Sequence, residues 1–295
     1  MTSLTSRIGG PTFEPAPLQR KPRDPVAIGL WIALIISCLI WAMPFVFMLL
    51  TAVKAPEEIS GGSVWSLPSR WEWSNFADAA ERGDLTTSFL NSLVIASVKV
   101  PVGLFVSSAC AFALSRISFG WNKLLLAVTV MGAFVPIQVA LGPLFSMMES
   151  LDLLNSRIGI VLPYIAFGLP FQTFFLYNFF SSIPRELDEA ARIDGAGHFR
   201  LYFHIIAPLA GPALAALFII DFVATWNEYA IALTLLQSQS AYTVPLSLGN
   251  FSTQFTSAYG PLNAYIAMSV LPVLIVYLMF QRFFTSGALA GAVKG

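Results

Sequence analysis

The chain has 295 residues, of which 56% are hydrophobic and only 11% charged, less than half of the about 25% usual in a soluble domain. With 25 Phe and 7 Trp it carries more apolar surface than a water-soluble fold of this size can hide, so its solvent is lipid. Acidic and basic residues balance at 16 each, and the total charge points to no nucleic-acid partner.

Residues 1–25 are polar and rich in Pro and Arg. They read as a tail, not a cleavable signal, because the apolar run that follows is too long for a signal h-region. A helix crossing lipid needs roughly 20 apolar residues. Six runs qualify, at about 27–52, 90–114, 122–147, 158–180, 207–236 and 263–284. The expected fold class is therefore all-α: a polytopic membrane protein with a six-helix domain over 26–286 and a short tail at 287–295. Pro44, Pro101, Pro136, Pro143, Pro163, Pro170 and Pro272 fall inside these runs. Such prolines are tolerated where neighbouring helices satisfy the carbonyls they free, so bent and packed helices are expected. Cys38 and Cys110 both lie in apolar runs and read as inert core thiols.

Orientation follows from Lys and Arg in the short loops. With six spans, eleven of the sixteen fall on one side and four on the other, while Lys99 lies inside the second span. Both termini and the polar segment 181–206 are thus expected in the cytoplasm, and the loop 54–88 outside. There Trp65, Trp71 and Trp73 suit a surface resting on the membrane.

The chain has no HExxH, no GxSxG and no GxxxxGK[ST], and no His lies in a predicted span. Neither metal chemistry nor P-loop ATP binding is expected. The ionisable residues within spans are Lys99, Asp221 and Glu228. Such groups are expensive in lipid and default to function. Lys99 pairs with Asp221 or Glu228 in a structural role, or else it lines a pathway. The run Trp226-Asn227-Glu228-Tyr229 offers groups that stack on and hydrogen-bond a polyol; the same groups also hold helices together.

Residues 188–212, "DEAARIDGAGHFRLYFHIIAPLAGP", break the apolar pattern. Pro184 can start a helix, with Glu186 and Asp188 in its first turn favouring the dipole. Ala190 and Ala191 leave a flat surface, and Gly195 permits backbone angles that other residues resist. The spacing predicts a short helix, a glycine break and a second helix entering the membrane at Pro208. It is either a docking element or an ordinary amphipathic connector.

The pattern EAA, three residues, G, nine residues, I, one residue, then LP resembles the signature loop of permease subunits of bacterial binding-protein-dependent ATP-binding-cassette importers. It matches at Glu189, Ala190, Ala191, Gly195, Ile205 and Pro208, and departs at Ala207, where Leu is favoured. "NSLVIASVKVPVGLFVSSACAFALSR", "TWNEYAIAL" and "GALAGAVKG" extend the resemblance, the last toward maltose-type carbohydrate permeases. The resemblance implies a transport subunit, not an enzyme, that moves a sugar or glycoside across the bacterial inner membrane by alternating access. It implies as partners a second permease subunit, two ATPase subunits that hold ATP and Mg, and an extracytoplasmic solute-binding protein. No cofactor is expected on this chain. The coupling segment is expected at 184–206, with Glu189, Ala190, Ala191, Asp194 and Gly195 facing the ATPase. Candidate pathway residues are Lys99, Trp226, Asn227 and Glu228. An ion-coupled secondary transporter predicts paired carboxylates and internal repeats, and a non-carbohydrate polar cargo is a further alternative.

Residues 237–262 contain no Lys or Arg and many Ser, Thr, Gln and Gly. By the same resemblance Gly249, Asn250, Phe251, Ser252, Thr253 and Gln254 reach into the binding protein and displace cargo, with Phe251 and Phe255 adding apolar faces. A solvated connector is the other reading. The charge asymmetry makes one direct prediction. A single cysteine at Ser66 reacts with an impermeant thiol reagent from outside the cell, and labelling only from the cytoplasm overturns the orientation.

Overall fold

The computed structural model describes residues 25–63, 65–252 and 258–283. The chain is helical, with α1 (Pro25–Ala52), α2 (Pro56–Gly61), α3 (Ser74–Arg82), α4 (Leu85–Arg116), α5 (Asn122–Gly132), α6 (Ile137–Ser150) and α7 (Arg157–Ser182). After these come α8 (Glu186–Ile193), α9 (His198–Leu201), a π-turn at Tyr202–Ile206, α10 (Ala207–Leu209), α11 (Gly211–Trp226), α12 (Ala230–Leu235), α13 (Val244–Ser247) and α14 (Tyr259–Phe280). No β-strand occurs among the described residues.

Residues 25–46 form a unit of their own within α1. Every side chain there is exposed, and the helix is apolar all round, which marks a lipid-facing or partner-facing span. The second unit begins at Phe47. Its centre is α4 lying along α7, with α11 against both and α14 against α11 and α3. The core includes Val100, Leu104, Leu176, Phe180, Leu217, Phe222 and Tyr265.

Four helices, α1, α4, α7 and α14, are each long and apolar enough to cross a membrane, and two bent pairs raise the number to as many as six. The run 122–147, expected as one span, is instead α5 and α6 at 94°. Pro136 begins α6 with extended angles, and its ring bars the preceding residue from the helical region. Pro44, Pro101, Pro143, Pro163, Pro170 and Pro272 all lie inside helices, as lipid allows. The fifth span is also not one helix. His198–Leu209 meets Gly211–Trp226 at 73°, next to Pro208 and Pro212. Pro208 offers no amide hydrogen to the turn before it, and the chain widens there into a π-turn. A second break, at 227–229, separates α11 from α12.

The two loops expected to be outside are themselves folded. Asn75 on α3 is 4% exposed, and its amide donates to the carbonyls of Ala52 and Lys54, both at 3.0 Å. The segment after α12 is stitched to α4. Asn91 donates to the carbonyls of Ser240 and Tyr242 at 2.9 and 3.0 Å, and Ser92 accepts from the Val244 amide at 2.9 Å. Asn75→Ala strands two buried carbonyls, at about 1–3 kcal/mol for an unsatisfied group. We expect a clearly lower thermal unfolding temperature for the detergent-purified protein, whereas an unchanged one would show that water replaces the amide.

Candidate functional site

Lys99 lies near the middle of α4 and is 4% exposed. An ammonium at mid-bilayer costs about 2.5–3.5 kcal/mol even on insertion scales, and the bundle meets that cost internally. The Lys99 Nζ forms an ion pair with Asp221 Oδ1 on α11. Gly168 on α7 leaves space for it; a Cβ there would sit 3.2 Å from Nζ and 3.1 Å from Gln172 Nε2. Gln172 accepts from the Ser107 hydroxyl at 2.6 Å.

Beside this pair is the break between α11 and α12, and Glu228 makes it. Its Oε1 accepts from the Ile231 amide at 2.8 Å, and its Oε2 from the Ala232 amide at 3.1 Å. These are donors that a helix start leaves unpaired. The Tyr164 hydroxyl donates to Oε2 at 2.5 Å. Lys99, Tyr164, Gly168, Asp221, Thr225 and Glu228 line one cavity of about 190 Å³. Trp226 does not. It is 3% exposed, donates to the Ser269 carbonyl at 3.1 Å and packs on Phe222 and Phe89. Asn227 is exposed and donates back to Val223 at 2.9 Å. The expected run of four therefore divides: Trp226 glues α11 to α14, and Glu228 alone reaches the cavity. It does so because the run ends a helix instead of lying inside one. A roomier recess of about 550 Å³, walled by Phe105, Phe203 and Phe218 among others, is almost wholly apolar.

The second element is the elbow after α7. It has the helix, break and helix expected from the spacing. Gly195 has φ +77. The Ala196 amide donates to Ala191 at 2.9 Å, and that of Gly195 to Arg192 at 3.0 Å. This pair of bonds is the Schellman closure of a helix, which needs a left-handed residue where Gly195 stands. Space is not the constraint, since a Cβ there would meet nothing within 4 Å.

Arg116, the last residue of α4, ties the elbow to the bundle. It pairs with Asp188 Oδ2 at 3.1 Å and donates to the carbonyls of Phe180 and Ile183 at 2.7 and 2.9 Å. Arg185 returns a bond to the Ser115 carbonyl at 2.9 Å. Ala191 turns inward at 6% exposure, while Glu189, Ala190, Asp194 and Gly195 are exposed. Ile193 and Phe199 are left 87% and 82% exposed. Sequence reasoning missed the role of Arg116, counting it only as a loop charge, and took Asp188 only for a dipole residue.

Of the six residues expected to probe a binding protein, Thr253 and Gln254 lie outside the described residues, as does Phe255. Phe251 is not an exposed apolar face: it is 2% exposed and packs on the Tyr265 ring at 5.1 Å. Asn250 is held by the Arg82 carbonyl at 3.1 Å. Gly249 and Ser252 close the turn around it, the Ser252 amide donating to Gly249 at 3.4 Å. Among the described residues no three His, Cys, Asp or Glu side chains converge as metal ligands.

Residues 99–286, which hold the cavity and the elbow alike, match the family described as binding-protein-dependent transport system inner membrane component. The chain belongs to this family. It is 35% identical to a diacetylchitobiose uptake system permease of Streptomyces coelicolor, over 84% of this chain and 83% of that one. It is 33% identical to a melibiose/raffinose/stachyose import permease of Bacillus subtilis, over 90% and 95%. Its fold is that of a subunit in the crystal structure of a bacterial ABC transporter that imports alginate, with TM-score 0.74, 24% identity and coverage of 88% and 96%. This permease is thus a multi-pass inner-membrane protein with a transport role.

Removing one partner from a buried ion pair costs about 3–5 kcal/mol, whereas removing both can be nearly neutral. Lys99→Met is therefore expected to lower the thermal unfolding temperature of the permease strongly, and adding Asp221→Asn to restore much of it. Equal stability of Lys99→Met and the parent would show that the pair does not hold α4 to α11.

Proposed function

We propose that this permease is one membrane-spanning half of an ATP-driven importer for a sugar or glycoside, working by alternating access with both termini in the cytoplasm. The cargo class rests on relatives named for diacetylchitobiose, for melibiose, raffinose and stachyose, and for trehalose. The partners are a second permease subunit, two ATPase subunits that bind ATP and Mg, and an extracytoplasmic solute-binding protein; this chain is not itself an enzyme and binds no cofactor.

The observation that carries the reading is the anchored elbow. An exposed face of Glu189 and Ala190, with Ile193 beside them, is presented on a helix whose other face is locked to α4 and α7 through Arg116 and Ala191. A partner that moves α8 moves the ends of two spans with it, which converts closure of the ATPase pair into a change of the open side. Asp194 and Gly195 end that helix and set the angle of the chain that leaves it. In the outer segment, Phe251 serves as an anchor, and Gly249, Asn250, Ser252, Thr253 and Gln254 form the contact with the binding protein.

The test is uptake by proteoliposomes holding the permease pair, the ATPase and the binding protein, with labelled diacetylchitobiose, melibiose and trehalose as cargo. We expect accumulation of at least one, dependent on ATP and on the binding protein. Uptake driven by an ion gradient without ATP would overturn the reading. Two substitutions address the elbow. Glu189→Lys reverses a charge at the docking face. Gly195→Val imposes a left-handed β-branched residue, at about 1–2 kcal/mol, enough for roughly a tenfold loss of the competent geometry. Both are expected to leave insertion intact and to depress ATP-driven uptake; normal uptake in both would remove the coupling role.

A further inference from the structure

The cavity beside the Lys99–Asp221 pair has a charge balance that bears on cargo. Lys99 and Asp221 face each other across α4 and α11, so together they add no net charge. Glu228 is the other carboxylate of the lining, and the one ammonium there, that of Lys99, is already paired with Asp221. Its hydrogen-bond donors are the Ile231 and Ala232 amides and the Tyr164 hydroxyl, all neutral groups. The lining also presents the Thr225 side chain and the Asp221 carboxylate, which is 6% exposed. At about 190 Å³ the cavity is below the about 300–1,000 Å³ of drug-sized sites, a scale suited to one sugar ring.

We propose that this cavity between α4, α7 and α11 is a cargo subsite for uncharged, hydroxyl-rich solutes, and that Glu228 is the residue that turns anionic ones away. The inference rests on the reading of the chain as a sugar importer and narrows it. An unpaired ammonium at Lys99 would have drawn acidic sugars in; cancelled by Asp221, it cannot. Hydroxyl groups donate to carboxylates, so an uncharged sugar meets acceptors here. A carboxylate or sulfonate meets a like charge in a medium that screens it poorly. The chain whose fold this permease shares serves a transporter of the acidic polysaccharide alginate. The proposal therefore separates the two by cargo charge while their folds agree.

The experiment reads the field of the cavity without knowing the cargo. Ala224 lines the cavity and is exposed. It is changed to Cys in a background with Cys38→Ala and Cys110→Ala, in the assembled transporter. Methanethiosulfonates bearing a trimethylammonium or a sulfonate are compared, each rate divided by its rate with a small free thiol. We expect the cation to be favoured by about tenfold, equivalent to about 1.4 kcal/mol, and Glu228→Gln to bring the ratio close to one. A ratio near one or below it in the parent overturns the proposal by itself, even if Glu228→Gln fails to assemble. So does a high ratio that Glu228→Gln leaves unchanged, or no labelling by either reagent. Occupancy is read in the same protein: D-glucose at high concentration slows labelling, and D-glucuronate at matched ionic strength slows it less. Equal protection by the two, or none by either, overturns the subsite. Failure here leaves ATP-driven uptake standing, whereas failure of the sugar reading appears in the uptake assay and leaves the labelling ratio untouched.

Discussion

Hydrocarbon supplies no hydrogen bonds, so every polar group that enters the membrane must find its partner inside the protein. Much of the architecture of this permease follows from that constraint. Lys99 is tolerable because Asp221 meets it. The break between α11 and α12 is tolerable because Glu228 and Tyr164 occupy it. Gln172 and Ser107 bond to each other where α7 and α4 cross. Lys99, Asp221, Tyr164 and Glu228, which answer these polar demands, also line one cavity.

The same economy operates at the elbow. Arg116 satisfies the carbonyls at the end of α7 and holds the carboxylate of Asp188 at the start of α8. A side chain that closes one helix end therefore ties together two spans and the short helix after them. Gly195 then finishes α8 with a closed turn, so the helix does not run on into α9.

Much of this was legible in the sequence. The long apolar runs located α1, α4, α7 and α14, and the EAA spacing located α8 and the glycine break, because both signals are local. The interruptions were not legible in the same way. Nine prolines lie in apolar runs, yet only three, Pro136, Pro208 and Pro212, stand at the start of a helix. Which proline breaks and which bends depends on what surrounds the freed carbonyls, and that is a tertiary fact. Trp226 and Glu228 are two residues apart and read as one motif, but the helix end between them sends one into the core and the other to the cavity. Phe251 looked like an exposed face because its neighbours are polar; it is buried because Tyr265 lies beneath it. The pairing of Arg116 with Asp188 left no local trace.

The Lys99–Asp221 bond also has a history in time. Its partners lie 122 residues apart. At about 5–20 residues per second of synthesis, Lys99 is made roughly 6–24 s before Asp221 exists. During that interval the helix that carries it has no internal anion to neutralise it, and the insertion cost of a mid-membrane ammonium is unrelieved. α4 can meet α7 early, but the Lys99 site at its centre is completed only when α11 arrives, so a charge threaded first waits for a partner made long after it.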